Sequence, residues 1–353
     1  MQKFFKELEA LAEMIQKSPI HFEQWVTQSM DVTRMEKLPG DASTRMYYRI
    51  WTENQSYILM KRDSFEDQKD DLPFLVIRDL LEKSNVDVPK VHYVDAKNGF
   101  IVLEDLGDVT LLRHLQKVVD REIERQLYTT VIDQLVNLHY FASPEQSGIK
   151  TPSYELRFSK EKLLWETAFT VEHFYEKHLS RKITEKDKNI LDSGFDSICE
   201  TLSSQREVFC HRDFHSRNVM VQPQDLGELR LVMIDFQDAR MGPQQYDLVS
   251  LLKDSYYQLD ENQIQGLVDY YVVRWEAVSG EKLDKEEFNR IFDLMTVQRN
   301  FKAIGSFASF LNRRGNSTYL KYIGNTFENI RRVLLKYPEF SDLREVLFHY
   351  YYF

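Results

Sequence analysis

The sequence predicts an α+β fold of two lobes, a small, mainly antiparallel β lobe followed by a larger, mainly helical one. Two observations predict it. Apolar residues alternate with polar ones in short runs as far as residue 104, and beyond 106 they recur at three- and four-residue spacing. Within the helical stretch, two short apolar runs at 219–222 and 230–234 read as strands, the first directly after a segment holding an aspartate, two histidines and an asparagine. A chain of 353 residues can bury a sizeable core and is long enough for two lobes.

The elements follow in order. An amphipathic helical lead-in runs to about Ser29. Residues 32–38 and 46–52 read as strands around a Pro39-Gly40-Asp41-Ala42-Ser43-Thr44 turn, and a third strand covers 57–61. A helix is expected from Asp71 to Lys83, with Leu72, Leu75, Val76 and Leu80 on one face. Strands 91–95 and 100–104 flank a Lys97-Asn98-Gly99 hairpin turn. Repeats, low-complexity tracts and linkers are absent, so the lobes belong to one fold with a hinge near 104–107.

Bulk properties exclude several classes. A net charge of −10 argues against sequence-independent binding to nucleic acid or to an anionic membrane, both of which need a basic face. The N-terminal segment has neither the apolar core of a signal peptide nor the span of a membrane helix. Two cysteines, Cys199 and Cys210, form no disulfide framework and show no metal-ligand spacing. A reducing cytoplasm is the expected location.

The chemistry is concentrated in Phe209-Cys210-His211-Arg212-Asp213-Phe214-His215-Ser216-Arg217-Asn218 and in Met233-Ile234-Asp235-Phe236-Gln237. An Asp, an Asn five residues on and a second Asp closing an apolar strand are how kinases build a phosphoryl-transfer centre. Asp213 would orient an attacking hydroxyl and accept its proton. Asn218 and Asp235 would offer hard oxygens to Mg²⁺ bridging the phosphates of ATP. The fold expected is therefore bilobal and protein-kinase-like, with residues 1–105 as lead-in and nucleotide-binding lobe and 106–353 as catalytic and substrate-binding lobe.

Other residues carry two readings each. Lys61 ends the third strand, either as a solvated charge or where a kinase lysine pairs the α- and β-phosphates. Ser43 and Thr44 lie in a turn that is either an ordinary hairpin or a phosphate cradle. Leu103-Glu104-Asp105-Leu106-Gly107 reads as the hinge, with the backbone at Glu104 and Leu106 facing an adenine ring. His215 would touch phosphate or pack against the loop. Asp247, twelve residues after Asp235, is expected to accept hydrogen bonds from the catalytic-loop backbone. So short a spacing leaves no room for a long activation segment, which favours a small acceptor over a peptide. Glu166, His173, Arg299 and Lys302 are the acceptor-binding candidates, because hydroxyls, an acetamido group or a carboxylate need directed donors and acceptors.

At His211, Asp213, His215 and Asn218 the chain resembles the aminoglycoside phosphotransferase/choline kinase superfamily, whose loop reads His-x-Asp-x-His-x-x-Asn. More narrowly it is similar to bacterial anomeric sugar kinases acting on N-acetylmuramic acid and N-acetylglucosamine in peptidoglycan recycling. The matching segments are residues 40–49, 103–107, 211–220 and 234–239, then Gly242-Pro243, 246–252 and Gln298-Arg299 with Lys302, Gly305 and Phe307. The resemblance implies transfer from ATP, with Mg²⁺, to the anomeric hydroxyl of an amino sugar. Within the superfamily an aminoglycoside, choline or a homoserine-like compound is the alternative acceptor. From another class, a nucleotide-binding regulator without catalysis has no use for Asp213. Three departures stand out. Leu72-Pro73-Phe74-Leu75-Val76 lacks the helix glutamate that relatives set opposite the strand lysine, leaving Glu66, Asp70 or Asp71 to substitute. Gln237 replaces a glycine, and the narrower family often lacks a lysine at the position of Lys61.

Overall fold

The computed structural model describes residues 32–39, 45–68, 71–224 and 227–353. The helical lead-in, Ser43, Thr44 and Asp70 lie outside the described residues. The chain divides into two compact units, one within residues up to Leu75 together with Pro89–Gly107, the other built from Val76–Val88 and Asp108–Phe353.

The first unit is a five-stranded antiparallel sheet. Its strands are β1 Arg34–Lys37, β2 Met46–Trp51, β3 Ser56–Lys61, β4 Val91–Asp95 and β5 Phe100–Glu104, in the order β1-β2-β3-β5-β4. Each lies where alternation predicted it, to within two residues at either end. Pleating sends Tyr48, Ile50, Tyr57, Leu59, Phe100 and Val102 into one core, with Tyr48, Leu59 and Val102 opposite one another across three strands. Gly99 closes the β4–β5 hairpin at φ +73°, where a Cβ would meet the Arg62 carbonyl oxygen at 2.1 Å. Beyond β5, the Arg49 guanidinium holds the buried Asp105 carboxylate at 2.8 Å and donates to the Gly107 carbonyl at 3.2 Å.

The second unit carries two small antiparallel sheets among helices. β7 Val219–Pro223 pairs with β8 Leu229–Met233, as expected. β6 Glu207–Cys210 pairs with β9 Arg240–Pro243, a sheet the sequence reading left out. The cause is local. β6 has only four residues, and Gly242-Pro243 looks like a turn signal. Yet Gly242 is extended and small because a Cβ there would lie 2.4 Å from the Phe158 ring; the glycine marks a close approach inside a strand.

The helices are α1 Pro73–Lys83, α2 Leu111–Leu115, α3 Arg121–Phe141, α4 Pro144–Ser147, α5 Lys160–Thr170, α6 Glu185–Ser203, α7 Gln245–Leu252, α8 Glu261–Ser279, α9 Lys285–Arg314, α10 Ile323–Leu334 and α11 Ser341–Tyr352. α1 opens on Pro73 at its first turn, where the missing N–H is no loss. α9, thirty residues long, is capped by the Asp284 carboxylate at its start and by Gly315 at φ +65° at its end. It packs against α5 so closely that the Thr170 hydroxyl reaches the Phe301 carbonyl at 3.0 Å. α5 continues as a π-helical turn, Val171–His178. Among the described residues no helix is long and apolar enough to cross a membrane.

A Cβ at Gly305 of α9 would lie 2.3 Å from the Thr170 hydroxyl and 2.7 Å from its Cα, and the Cα cannot swing aside. Gly305→Val should therefore lower stability by about 1–3 kcal/mol, as overpacking does, read from the midpoint of urea unfolding.

Candidate active site

The catalytic loop hangs between sheet and helix. β6 ends at Cys210, and His211 and Arg212 then turn their backbone N–H groups onto one carboxylate, Asp247, at 2.6 and 2.9 Å. Asp247 lies in the first turn of α7 and is fully buried. His139 of α3 lies 3.4 Å from the same carboxylate, and its other ring nitrogen lies 2.8 Å from the Tyr271 hydroxyl. His139, Cys210 and Asp247 are the one cluster of metal-type donors among the described residues. Asp247 already serves two backbone N–H groups, and burial pushes the Cys210 thiol up, away from thiolate. The cluster supports the loop. Cys210 itself is a fully buried small side chain.

With its ends held, the loop bends sharply. Arg212 sits at φ +82°, a left-handed conformation unfavourable for a side chain with a Cβ, and its guanidinium pairs with Asp238 at 3.3 Å. Asn218 donates its side-chain N–H to the Asp213 carbonyl at 2.9 Å, and the Ile234 N–H donates to the Asn218 carbonyl at 3.0 Å. His211 Nε2 lies 3.0 Å from the Ile234 carbonyl oxygen. Asp235 follows at φ +67°, with its Oδ1 accepting from Gln237 Nε2 at 2.7 Å. A second buried acid, Asp254, takes the Ser216 hydroxyl at 2.5 Å and the Ser216 N–H at 3.1 Å. The sequence reading missed Asp254. It lies just past the end of α7, outside any periodic element, and its partner Ser216 is 38 residues away, so no local pattern marks it.

Asp213 is the half-exposed centre of this arrangement. Burial alone would raise its carboxyl. The Lys302 ammonium, 3.7 Å away, followed by Arg212, His215 and Arg299, more than reverses this and holds it well below the usual carboxylate range. Burial, reinforced by Arg299, pushes His215 down to about 3, and its buried Nδ1 has no hydrogen-bond partner among the described residues. The ring packs edge-on against Tyr256 at 5.2 Å.

The acceptor candidates separate. Lys302 and Arg299, both on α9, bear on Asp213, and Arg299 Nε also donates to Ser250 Oγ at 2.7 Å. Glu166 of α5 is buried beside Gln298, one turn before Lys302, at 3.2 Å. His173 lies with Asn312 and Arg313, at 3.3 and 3.2 Å. That is ten residues along α9 from Lys302, or roughly 15 Å. In the first unit, Lys61 ends β3 with its ammonium 5.8 Å from the centre of the Phe100 ring. Neither Glu66 nor Asp71 pairs with it, and among the described residues no carboxylate does. Glu104 accepts the Lys90 N–H at 3.1 Å, and Leu106 is buried.

An aspartate on a braced loop, with an asparagine and a second aspartate fixed beside it, is the arrangement expected of a phosphotransferase. Residues 34–280 match the Phosphotransferase enzyme family, and the chain belongs to it. Relatives include the N-acetylmuramate/N-acetylglucosamine kinases of Neisseria meningitidis serogroup B, 33% identical over 87% of this chain and 88% of that one, and of Pseudomonas putida, 30% identical over 87% and 86%. Among solved structures, a choline kinase from Streptococcus pneumoniae covers 87% of this chain and 96% of its own with a TM-score of 0.56 at 15% identity. The aminoglycoside phosphotransferase APH(2'')-Ib with ADP bound covers the same shares with a TM-score of 0.56 at 14% identity. The expected fold class, α+β and protein-kinase-like, is the one observed.

Because the folded pKa of Asp213 lies below its unfolded value near 3.9, its contribution to stability is present above that pH and is lost as pH falls through the folded value. Lys302→Met removes the largest opposing charge and leaves burial in place. The pKa of Asp213 should then rise, and the acid limb of the kcat/KM profile should move to higher pH. An unmoved acid limb would refute the charge pairing.

Proposed function

We propose that this chain is an ATP- and Mg²⁺-dependent kinase that phosphorylates the anomeric hydroxyl of an N-acetylated amino sugar, N-acetylmuramate or N-acetylglucosamine. The observation that carries this reading is Asp213, held as a carboxylate beside Lys302 on a loop braced by Asp247. The names of the kinase relatives support the acceptor class.

In this reading Asp213 accepts a hydrogen bond from the anomeric hydroxyl. The sugar oxygen attacks the γ-phosphorus, the bond to the β-phosphate oxygen breaks, ADP leaves, and the hydroxyl proton passes to Asp213. A weakly basic carboxylate suffices. In a loose transition state the hydroxyl becomes acidic only as the new bond forms, and a hemiacetal hydroxyl is more acidic than its neighbours. The residues at the metal position fit a hard cation. Asn218 spends its N–H on the Asp213 carbonyl, which leaves its carbonyl oxygen to coordinate, and Asp235 adds carboxylate oxygen. Bound Mg²⁺ would neutralise phosphate charge. Lys61 is assigned to the phosphates, Ser43 and Thr44 to the turn over them, and the backbone at Glu104 and Leu106 to adenine. His215, neutral at working pH, serves as a hydrogen-bonding group only. Lys302, Arg299 and Glu166 are assigned to the acceptor side, and His173 to packing. Two free, buried cysteines suit a reducing cytoplasm.

Choline or an aminoglycoside is the second reading, favoured by the solved neighbours. The cations Lys302 and Arg299 at Asp213 weigh against it, since a cationic acceptor would meet like charge there.

The test is ATP-dependent loss of reducing-end signal with either amino sugar, with a sugar 1-phosphate seen by phosphorus NMR and no product from the 1-O-methyl glycosides. Equal phosphorylation of a methyl glycoside would place the reaction at another hydroxyl. Asp213→Asn should slow turnover by about 10²–10⁴-fold with Mg·ATP affinity nearly unchanged. Asp235→Ala should instead abolish Mg²⁺-dependent nucleotide binding in calorimetry; unchanged affinity there would remove the metal role.

A further inference from the structure

Resting on the reading that the acceptor is an N-acetylated amino sugar, we infer that Arg217 reads the acceptor's carboxylate, such as the lactyl group of N-acetylmuramate, and sets the preference between acidic and neutral sugars. Arg217 lies in the catalytic loop between Ser216, tied to Asp254, and Asn218, tied to Asp213. Its guanidinium lies over two rings, 4.9 Å from the centre of Tyr256 and 5.4 Å from that of Tyr319. Among the described residues no carboxylate pairs with it.

The cations around it are committed elsewhere. Arg212 has Asp238 and Lys302 has Asp213. Arg299 is buried, donates to Ser250, and spends its charge partly on Asp254. Arg217 is partly buried and keeps its charge with only aromatic faces and phenol oxygens around it. Stacking occupies the faces of the guanidinium and fixes its plane. The N–H edge carries five donors, more than the two phenol oxygens beside it can accept, and the remainder match a carboxylate in a two-point contact.

The side of the loop it occupies points to the acceptor. Phe307 of α9 packs on Tyr256 and on Tyr319, with ring centres 6.0 and 5.7 Å apart. Arg217 is thus anchored to the helix that carries Lys302 and Arg299. Its neighbour Asn218 turns its amide back onto the Asp213 carbonyl. Adjacent residues therefore divide the work, Asn218 toward the metal and Arg217 toward the acceptor.

The test compares kcat/KM for N-acetylmuramate and for its methyl ester, in wild type and in Arg217→Gln. Wild type should prefer the acid by about 10–100-fold, the range for a charge-assisted pair. In Arg217→Gln the preference should collapse to within a few-fold, and Arg217→Lys should recover part of it, since charge remains but the planar fork is lost. Each variant is its own reference, so a folding defect lowers both rates and leaves the ratio. If Arg217→Gln turns over neither sugar, calorimetric affinities for acid and ester give the same ratio. An acid preference that survives in Arg217→Gln overturns the assignment and moves the carboxylate to Lys302; no acid preference in wild type overturns it as well. No turnover of either amino sugar by wild type overturns the acceptor class, and this assignment with it.

Discussion

The active site depends on one buried carboxylate. Asp247 is removed from water and must recover the lost hydration from protein donors. It does so with the N–H groups of His211 and Arg212, which are consecutive and so point the same way only if the chain between them is bent. The left-handed backbone at Arg212 is that bend. A conformation of this kind is unfavourable by about 1–3 kcal/mol and persists where its surroundings over-determine it. Here two charge-assisted hydrogen bonds do so, and the bend sets where Asp213, the next residue, leaves the loop. His139 and Tyr271 extend the network behind the carboxylate. Asp254 repeats the device on the far side of Asp213 by holding Ser216. Asp213 is thus fixed from both sides by buried acids that bind the loop itself.

A second constraint acts on charge. Asp213 is pulled in opposite directions, with burial favouring its neutral form and the cations Lys302, Arg212 and Arg299 favouring the carboxylate. The cations prevail. The result is a weakly basic carboxylate, which in the proposed reaction suits phosphoryl transfer better than it would suit proton abstraction from carbon. Where the acceptor proton moves late, orientation matters more than driving force. His215 shows the complementary outcome in the same field. Burial and Arg299 keep it uncharged, so the loop does not add a further cation beside Lys302.

Much of this was legible in the sequence, for identifiable reasons. The five strands of the first unit follow from alternation and from a hairpin turn that needs Gly99. The role of Asp247 follows from its spacing after Asp235. What escaped was whatever depends on distant partners. β6 and β9 are four residues each, too short for a period, and the glycine in β9 is explained only by the Phe158 ring, distant in sequence, that packs against it. Asp254 and His139 act through hydrogen bonds to residues far along the chain, which no local pattern encodes. Glu166, His173, Arg299 and Lys302 look alike as polar residues among aromatics. Only packing against α9 separates Lys302, beside Asp213, from His173, about three turns away.

The unexpected β6–β9 sheet also explains why a short link between Asp235 and Asp247 suffices. β9 lies inside that link, and its partner β6 runs directly into His211. The segment after Asp235 is therefore hydrogen-bonded to the strand that leads into the loop carrying Asp213. Asp247, at the end of the link, then closes the circuit onto the loop's own N–H groups. Protein kinases use the corresponding stretch as a mobile activation segment, which needs length and freedom to rearrange. Here both are absent. Moving the segment would break the β6–β9 pairing and strand the buried Asp247 carboxylate without donors. The same compactness provides no movable platform beside the loop, so in the proposed reading acceptor choice falls to positions on α9 and to the loop itself.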